Sequence, residues 1–134
     1  MSENISIKIL LLDDEPIVTK RLKPTLERKG YYVETFVKSI DALNRFREHP
    51  FDLIITDLKM EGIDGMEFLS EVKKMRPETE AIVITGFATM ETAKESFQQG
   101  VLDFLAKPFK LGEIQDAVNR AVTKIRKRQQ EADV

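Results

Sequence analysis

The sequence predicts one doubly wound α/β domain, a single five-stranded parallel sheet covered by five helices. Three observations carry this. Five short apolar runs alternate with five segments of helical period along the chain, the rhythm of βαβ units with right-handed crossovers. The runs at 10–12 (Leu10, Leu11, Leu12) and 53–55 (Leu53, Ile54, Ile55) are continuously apolar, as strands buried on both faces are. Glycine and proline punctuate the segments, with Gly30 and Gly100 as helix stops and Pro50 and Pro77 closing units.

Taken in order, residues 5–12 form a central first strand ending in Asp13, Asp14 and Glu15. Pro16 opens a helix with Val18, Leu22 and Leu26 inward, and Pro24 conflicts with that helix because it removes a backbone donor. Residues 31–36 carry Glu34 and read as an edge strand. Ser39 is expected to cap a helix burying Ile40, Leu43 and Phe46. The third strand, 53–56, runs into Asp57, and a loop over 58–64 leads to a helix from Gly65 with Met66, Leu69, Val72 and Met75 inward. Residues 81–85 are the fourth strand, and Gly86 turns the chain. Thr89 caps a helix expected to bury Met90, Ala93 and Phe97. Residues 101–106 make the fifth strand, with Asp103 at its exposed start, and Lys107 and Pro108 follow. The last helix starts near Leu111 with Ile114, Val118, Ala121 and Ile125 as its stripe, and 126–134 reads as a polar tail that frays.

Composition narrows the function. At 134 residues the chain is about one domain long, and its formal net charge of −2 offers no basic field for nucleic acid. Without cysteine there are no disulfides, thiolate metal sites or cysteine nucleophiles. No apolar run is long enough for a membrane span, and the N-terminus lacks the pattern of a secretion signal, so the expected compartment is the cytoplasm.

The strand ends hold the chemistry. In a parallel sheet Asp13, Asp14, Asp57, Thr85 and Lys107 converge on one rim, where ligands of such sheets bind. Three crowded carboxylates push protons onto one another, and a hard cation relieves this. Oxygen ligands without His or Cys select Mg²⁺, which shares phosphate oxygens readily. Lys107 suits a phosphate oxygen and Thr85 can donate to another. The set describes phosphoryl transfer with a carboxylate nucleophile. Singly, each residue has an ordinary reading as a helix start, turn or surface charge; together those readings need five coincidences at one rim. His49 has no partner in register and reads as a surface residue. Arg120, Lys124, Arg126, Lys127 and Arg128 read as a solvated helix end.

These residues resemble the receiver domains of two-component response regulators, the chemotaxis-regulator-like family, from about residue 5 to residue 124. The resemblance rests on Asp13 and Asp14 after strand one, Asp57 after strand three, Thr85 and Gly86 after strand four, Lys107 and Pro108 after strand five, and Phe104 at the aromatic switch position. The stretches VITGFATMETA and DFLAKPF are most similar to receivers of sigma-54-type transcriptional activators. The resemblance implies a flavodoxin-like sheet of order 2-1-3-4-5 and a receiver over 1–125, with 126–134 a polar tail or the start of a linker to an output domain. It implies phosphorylation of Asp57 by a histidine kinase, phosphotransfer protein or small donor, and only self-directed catalysis. Mg²⁺ would be held by Asp13, Asp14, Asp57 and the backbone carbonyl of Lys59. Lys107 would contact the phosphoryl group, Thr85 and Phe104 would move as the switch, and the Lys107–Pro108 bond would be cis. An output domain, partner protein or second copy would read the face of helix 4, strand 5 and helix 5, with no direct nucleic-acid or membrane contact. One departure is Glu61, where many relatives have proline after the methionine.

Two other classes use similar parts. A haloacid-dehalogenase-type Mg²⁺ phosphatase also has an Asp nucleophile, but needs an acid where this chain has Lys59. A flavodoxin-like cofactor binder needs a glycine- and hydroxyl-rich phosphate loop after strand one, where this chain has Asp13-Asp14-Glu15-Pro16.

Overall fold

The computed structural model describes residues 6–60 and 62–132. Five strands and five helices alternate: β1 (Lys8–Leu12), α1 (Pro16–Glu27), β2 (Tyr32–Phe36), α2 (Ser39–Glu48), β3 (Leu53–Thr56), α3 (Gly65–Met75), β4 (Glu80–Thr85), α4 (Met90–Gln98), β5 (Asp103–Ala106) and α5 (Leu111–Ala132). All strand pairs are parallel, in the order β2-β1-β3-β4-β5. This is the doubly wound architecture, with β1 and β3 interior and β2 at an edge. Ile5, expected at the start of the first strand, lies outside the described residues.

The apolar runs divide between two cores because successive side chains point to opposite faces. Ile9, Leu11, Leu53, Ile55, Ile82 and Ile84 face one way, against Leu22 and Leu26 of α1 and the α5 stripe from Ile114 to Ile125. Leu10, Leu12, Ile54, Ala81 and Val83 face the other, against Leu43 and Phe46 of α2 and Phe68, Leu69 and Val72 of α3. Pro24 remains inside α1. Burial of Leu22 and Leu26 beside it offsets the lost donor, each fully buried aliphatic contributing about 1.5–3 kcal/mol.

Several faces differ from expectation. Ser39 is the first helical residue of α2, and Lys38 precedes it as a cap with no side-chain bond. Ile40 of α2 and Met75 of α3 are exposed, and Phe68 takes the inward place on α3. The largest difference is α4. Met90 is 92% exposed and Phe97 51%, while Ser96 is fully buried. The Ser96 hydroxyl is satisfied by the Thr92 carbonyl at 2.8 Å, so it enters the interior without an unpaired group. A stripe spaced three and four apart shows that a helix has an apolar face, not that the sheet takes it.

The basic stretch of α5 is not merely solvated. Arg120 Nε bonds Asp103 at 2.9 Å, and Arg128 reaches Glu80 at 2.7 Å and the Glu78 carbonyl at 2.6 Å. Glu80 opens β4 almost completely buried, with Lys124 as a second cation at 3.4 Å. These pairs hold the helix against the sheet as far as Arg128, and the helix runs on to Ala132 where a fraying tail is expected from sequence.

Candidate functional site

The strand register builds the site. Leu12 pairs with Thr56, so the residues that follow, Asp13 and Asp57, stand side by side past the end of the sheet. Thr85 pairs with Ala106, and the Lys107 amide donates to the Thr85 carbonyl at 2.8 Å, which brings Lys107 to the same rim. The ladder continues one step beyond the strands, because the Asp57 amide donates to the Leu12 carbonyl at 3.0 Å and the Asp13 amide to the Phe36 carbonyl at 3.1 Å. Both acids therefore sit on rigid backbone.

The carboxylates close on one ammonium. Lys107 Nζ lies 2.7 Å from Asp13 Oδ2, 2.9 Å from Asp57 Oδ2 and 2.8 Å from Glu15 Oε1. Asp13 is fully buried and Asp57 is 4% exposed, while Asp14 and Glu15 are open to solvent. Asp57 Oδ1 accepts from the Leu58 amide at 2.6 Å, and Asp13 Oδ1 accepts from the Glu15 amide at 2.9 Å. Asp13 Oδ2 is different. Its contact with Lys107 is close but off the hydrogen-bonding direction, which leaves it a buried oxygen with no directed donor.

Burial raises the Asp13 carboxyl above its ordinary value, against the opposing pull of Lys107 and the Glu15 amide. Burial alone would lower the Lys107 ammonium. Its contact with Asp13 and its bonds to Glu15 and Asp57 outweigh this and raise it, so Lys107 is a fixed positive charge. Oxygens of Asp13, Asp14 and Asp57 lie within 4.8 Å of one another. An undirected buried carboxylate oxygen within an all-oxygen set fits a hard divalent cation, and these residues would hold one.

Around the acids is an open cleft of about 450 Å³ lined by Asp14, Glu15, Asp57, Lys59, Met60, Gly86 and Phe87. Thr85 is fully buried, and its hydroxyl accepts from the Phe87 amide at 3.0 Å. Phe104 sits on β5, two register pairs before Thr85 and Ala106, and packs partly buried against the core on the α2 and α3 side. The Lys59 ammonium lies 5.9 Å over the Phe87 ring, spanning the cleft from the loop after β3 to the loop after β4. The Lys107–Pro108 bond is cis. Glu61 lies outside the described residues, so the departure from proline there has no structural account.

The rim thus joins Asp13, Asp14, Asp57 and Lys107. Thr85 stands beside them, hydrogen-bonded into its own loop and not to the carboxylates. Two residues escaped the sequence reading. Glu15 was visible in the acidic run, but nothing in its spacing said that it reaches Lys107 across 92 positions of chain. Gly65 was legible only as a helix start. A Cβ there would meet the Asp57 carbonyl oxygen at 2.1 Å and the Leu58 Cα at 2.7 Å, so α3 begins where only glycine fits against the backbone of the acid.

Residues 9–119 match the family described as the response regulator receiver domain. The chain is 34% identical over 120 residues to the transcriptional regulatory protein ZraR of Salmonella typhimurium, covering 90% of this chain and 27% of that protein. It therefore spans about a quarter of the length of the curated relatives it matches. Among solved structures, a response regulator receiver domain protein from Clostridium thermocellum superposes with a TM-score of 0.81 at 33% identity, covering 88% of this chain and 95% of that one. The beryllofluoride-activated NtrC4 receiver domain dimer superposes with a TM-score of 0.83 at 30% identity, covering 88% and 98%.

Proposed function

The chain belongs to the response regulator receiver family, the phosphorylation-activated switches of two-component signalling, and from the rim geometry we propose that Asp57 is the residue that accepts the phosphoryl group. The single observation that carries this is Asp57 Oδ2, held 2.9 Å from the Lys107 ammonium at the mouth of the open cleft. The donor is a phosphohistidine of a kinase or phosphotransfer protein, or a small acyl phosphate. A carboxylate oxygen of Asp57 forms the new O–P bond as the donor's bond to phosphorus breaks, and the electron pair leaves with the donor. Mg²⁺ would be held by Asp13, Asp14, Asp57 and the Lys59 carbonyl, and when bound would supply charge neutralisation for the phosphoryl oxygens. Lys107 follows one of those oxygens, and its fixed charge needs no proton transfer to do so. The protein's own catalysis is confined to gaining and losing this group. The phosphatase alternative has no support: Lys59 occupies the place of the required acid, and its ammonium lies over Phe87.

The switch runs through Thr85. Its hydroxyl bonds the Phe87 amide in this state, and turning to a phosphoryl oxygen would pull the loop into α4 and free space behind it for Phe104. Gly86 lets that loop change its backbone angles at little cost. The output surface is α4, β5 and α5. Exposure of Met90 and Phe97 on α4 supports this, since exposed large apolar side chains are what a protein partner or second copy covers. The receiver ends near residue 125, and the helical continuation leads toward an output domain. Relatives named as transcriptional regulators work where DNA is, which supports a cytoplasmic location and an indirect role in transcription.

The test is direct. The protein is incubated with acetyl phosphate and Mg²⁺ and the adduct mapped by mass spectrometry. A single phosphoryl group on Asp57, absent from Asp57→Asn and after chelation, is the expected result. Full labelling of Asp57→Asn overturns the assignment.

A further inference from the structure

Lys107 is shared among three carboxylates, but only two of them belong to the cluster that fits a cation. Nζ lies 2.7 Å from Asp13 Oδ2 and 2.9 Å from Asp57 Oδ2, and both residues are in the acidic set with Asp14. Glu15 is not in that set. An ammonium and a divalent ion on the same carboxylates repel, so filling the acidic set favours release of Lys107 from Asp13 and Asp57. Of the three carboxylates around it among the described residues, that leaves Glu15 to receive it, since Glu15 Oε1 already lies 2.8 Å from Nζ. Pro16 starts α1 directly behind Glu15, and the Glu15 amide is tied to Asp13 Oδ1 at 2.9 Å, so the backbone that carries Glu15 is fixed against the site. Its side chain is 60% exposed and free to follow the ammonium outward.

We propose that Glu15 is a positioning residue that acts through Lys107, drawing the ammonium off Asp13 and Asp57 so that the divalent cation can enter and then retaining it at the cleft mouth for the incoming phosphoryl oxygen. The inference rests on the reading of the rim as a phosphoryl-transfer site. It separates two roles within the run Asp13-Asp14-Glu15: the first two acids serve the metal and the third serves the lysine. It also explains why Lys107 can be a tight counter-ion in the metal-free protein without excluding the metal.

The experiment is a Mg²⁺ titration of the whole protein, by calorimetry or amide chemical shifts, for the parent, Glu15→Gln, Glu15→Asp, Lys107→Ala and the Glu15→Gln, Lys107→Ala double variant. An exposed ion pair is worth about 0.2–1 kcal/mol, so Glu15→Gln should weaken Mg²⁺ binding by a factor between roughly 1.4 and 5. Glu15→Asp keeps the charge but shortens the arm, and should lose about as much. In the Lys107→Ala background the same Glu15→Gln change should have less than half its effect, because there is no ammonium to draw away. Equal losses in both backgrounds, with Glu15→Asp behaving as the parent, would show a through-space field and overturn the proposal; so would an unchanged affinity in Glu15→Gln. Absence of Mg²⁺ binding by the parent itself would instead overturn the reading of the rim. Circular dichroism of each variant guards against a loss of fold.

Discussion

Lys107→Ala tests whether this ammonium is a structural counter-ion as well as a phosphoryl contact. The variant leaves Asp13 fully buried and Asp57 nearly so, with no cation between them. Removing one partner of a buried ion pair costs about 3–5 kcal/mol, because the remaining charge stays desolvated. Two features of the rim reduce this. The Lys107 side chain is itself 14% exposed, and the cleft beside Asp57 is open, so water partly replaces the ammonium. The expected loss is then about 2–3 kcal/mol in the absence of metal, a large share of the 5–15 kcal/mol typical of a domain. In urea, with a slope of about 1.5 kcal/mol/M, this is a fall of roughly 1–2 M in the midpoint. The chain has no tryptophan, so far-ultraviolet circular dichroism is the natural probe. The measurement is made in chelator and again in excess Mg²⁺. A cation on the acidic set supplies the missing charge, and in the parent it has already displaced the lysine, so the deficit should shrink to below about 1 kcal/mol. A variant as stable as the parent in chelator, or a deficit that Mg²⁺ leaves untouched, would refute the counter-ion argument.

Two other outcomes follow from the geometry. Gly65→Ala places a Cβ 2.1 Å from the Asp57 carbonyl oxygen, and backbone atoms there have no easy retreat; the overpacking should cost about 1–3 kcal/mol in urea unfolding even though alanine is the better helix former, and a stabilised variant would contradict the contact. Arg45 holds Glu34 through two bonds of 2.8 and 2.9 Å, and this guanidinium, opposed by burial and aided by Tyr32, keeps the Glu34 carboxyl below its ordinary 4.5. A depressed carboxyl contributes stability that is present above its ordinary value and lost as pH falls through the lowered one. Arg45→Ala should therefore lower the unfolding midpoint at pH 7 and leave it unchanged well below pH 4, measured as unfolding midpoints across pH; a loss that persists in acid would assign the effect to packing of the Arg45 stem.

What the sequence determined by itself was the ordering of elements and the rim. Buried parallel strands must be apolar over their whole length, so Leu10 to Leu12 and Leu53 to Ile55 announce themselves, and Asp13, Asp57, Thr85 and Lys107 inherit a common edge from parallel topology alone. Those are consequences of local composition and of the one geometry that βαβ units permit. The tertiary structure decided what local spacing does not encode. It turned Met90 and Phe97 outward and Ser96 inward, because which side of α4 meets the sheet depends on its seat beside β5. It closed Glu80 over with Arg128, making a clamp of what reads as a solvated helix end. It brought Glu15 to Lys107, and required glycine at position 65 because α3 starts against the carbonyl of the acid it helps to place. Each depends on how separate elements pack against one another, not on the pattern within any one of them.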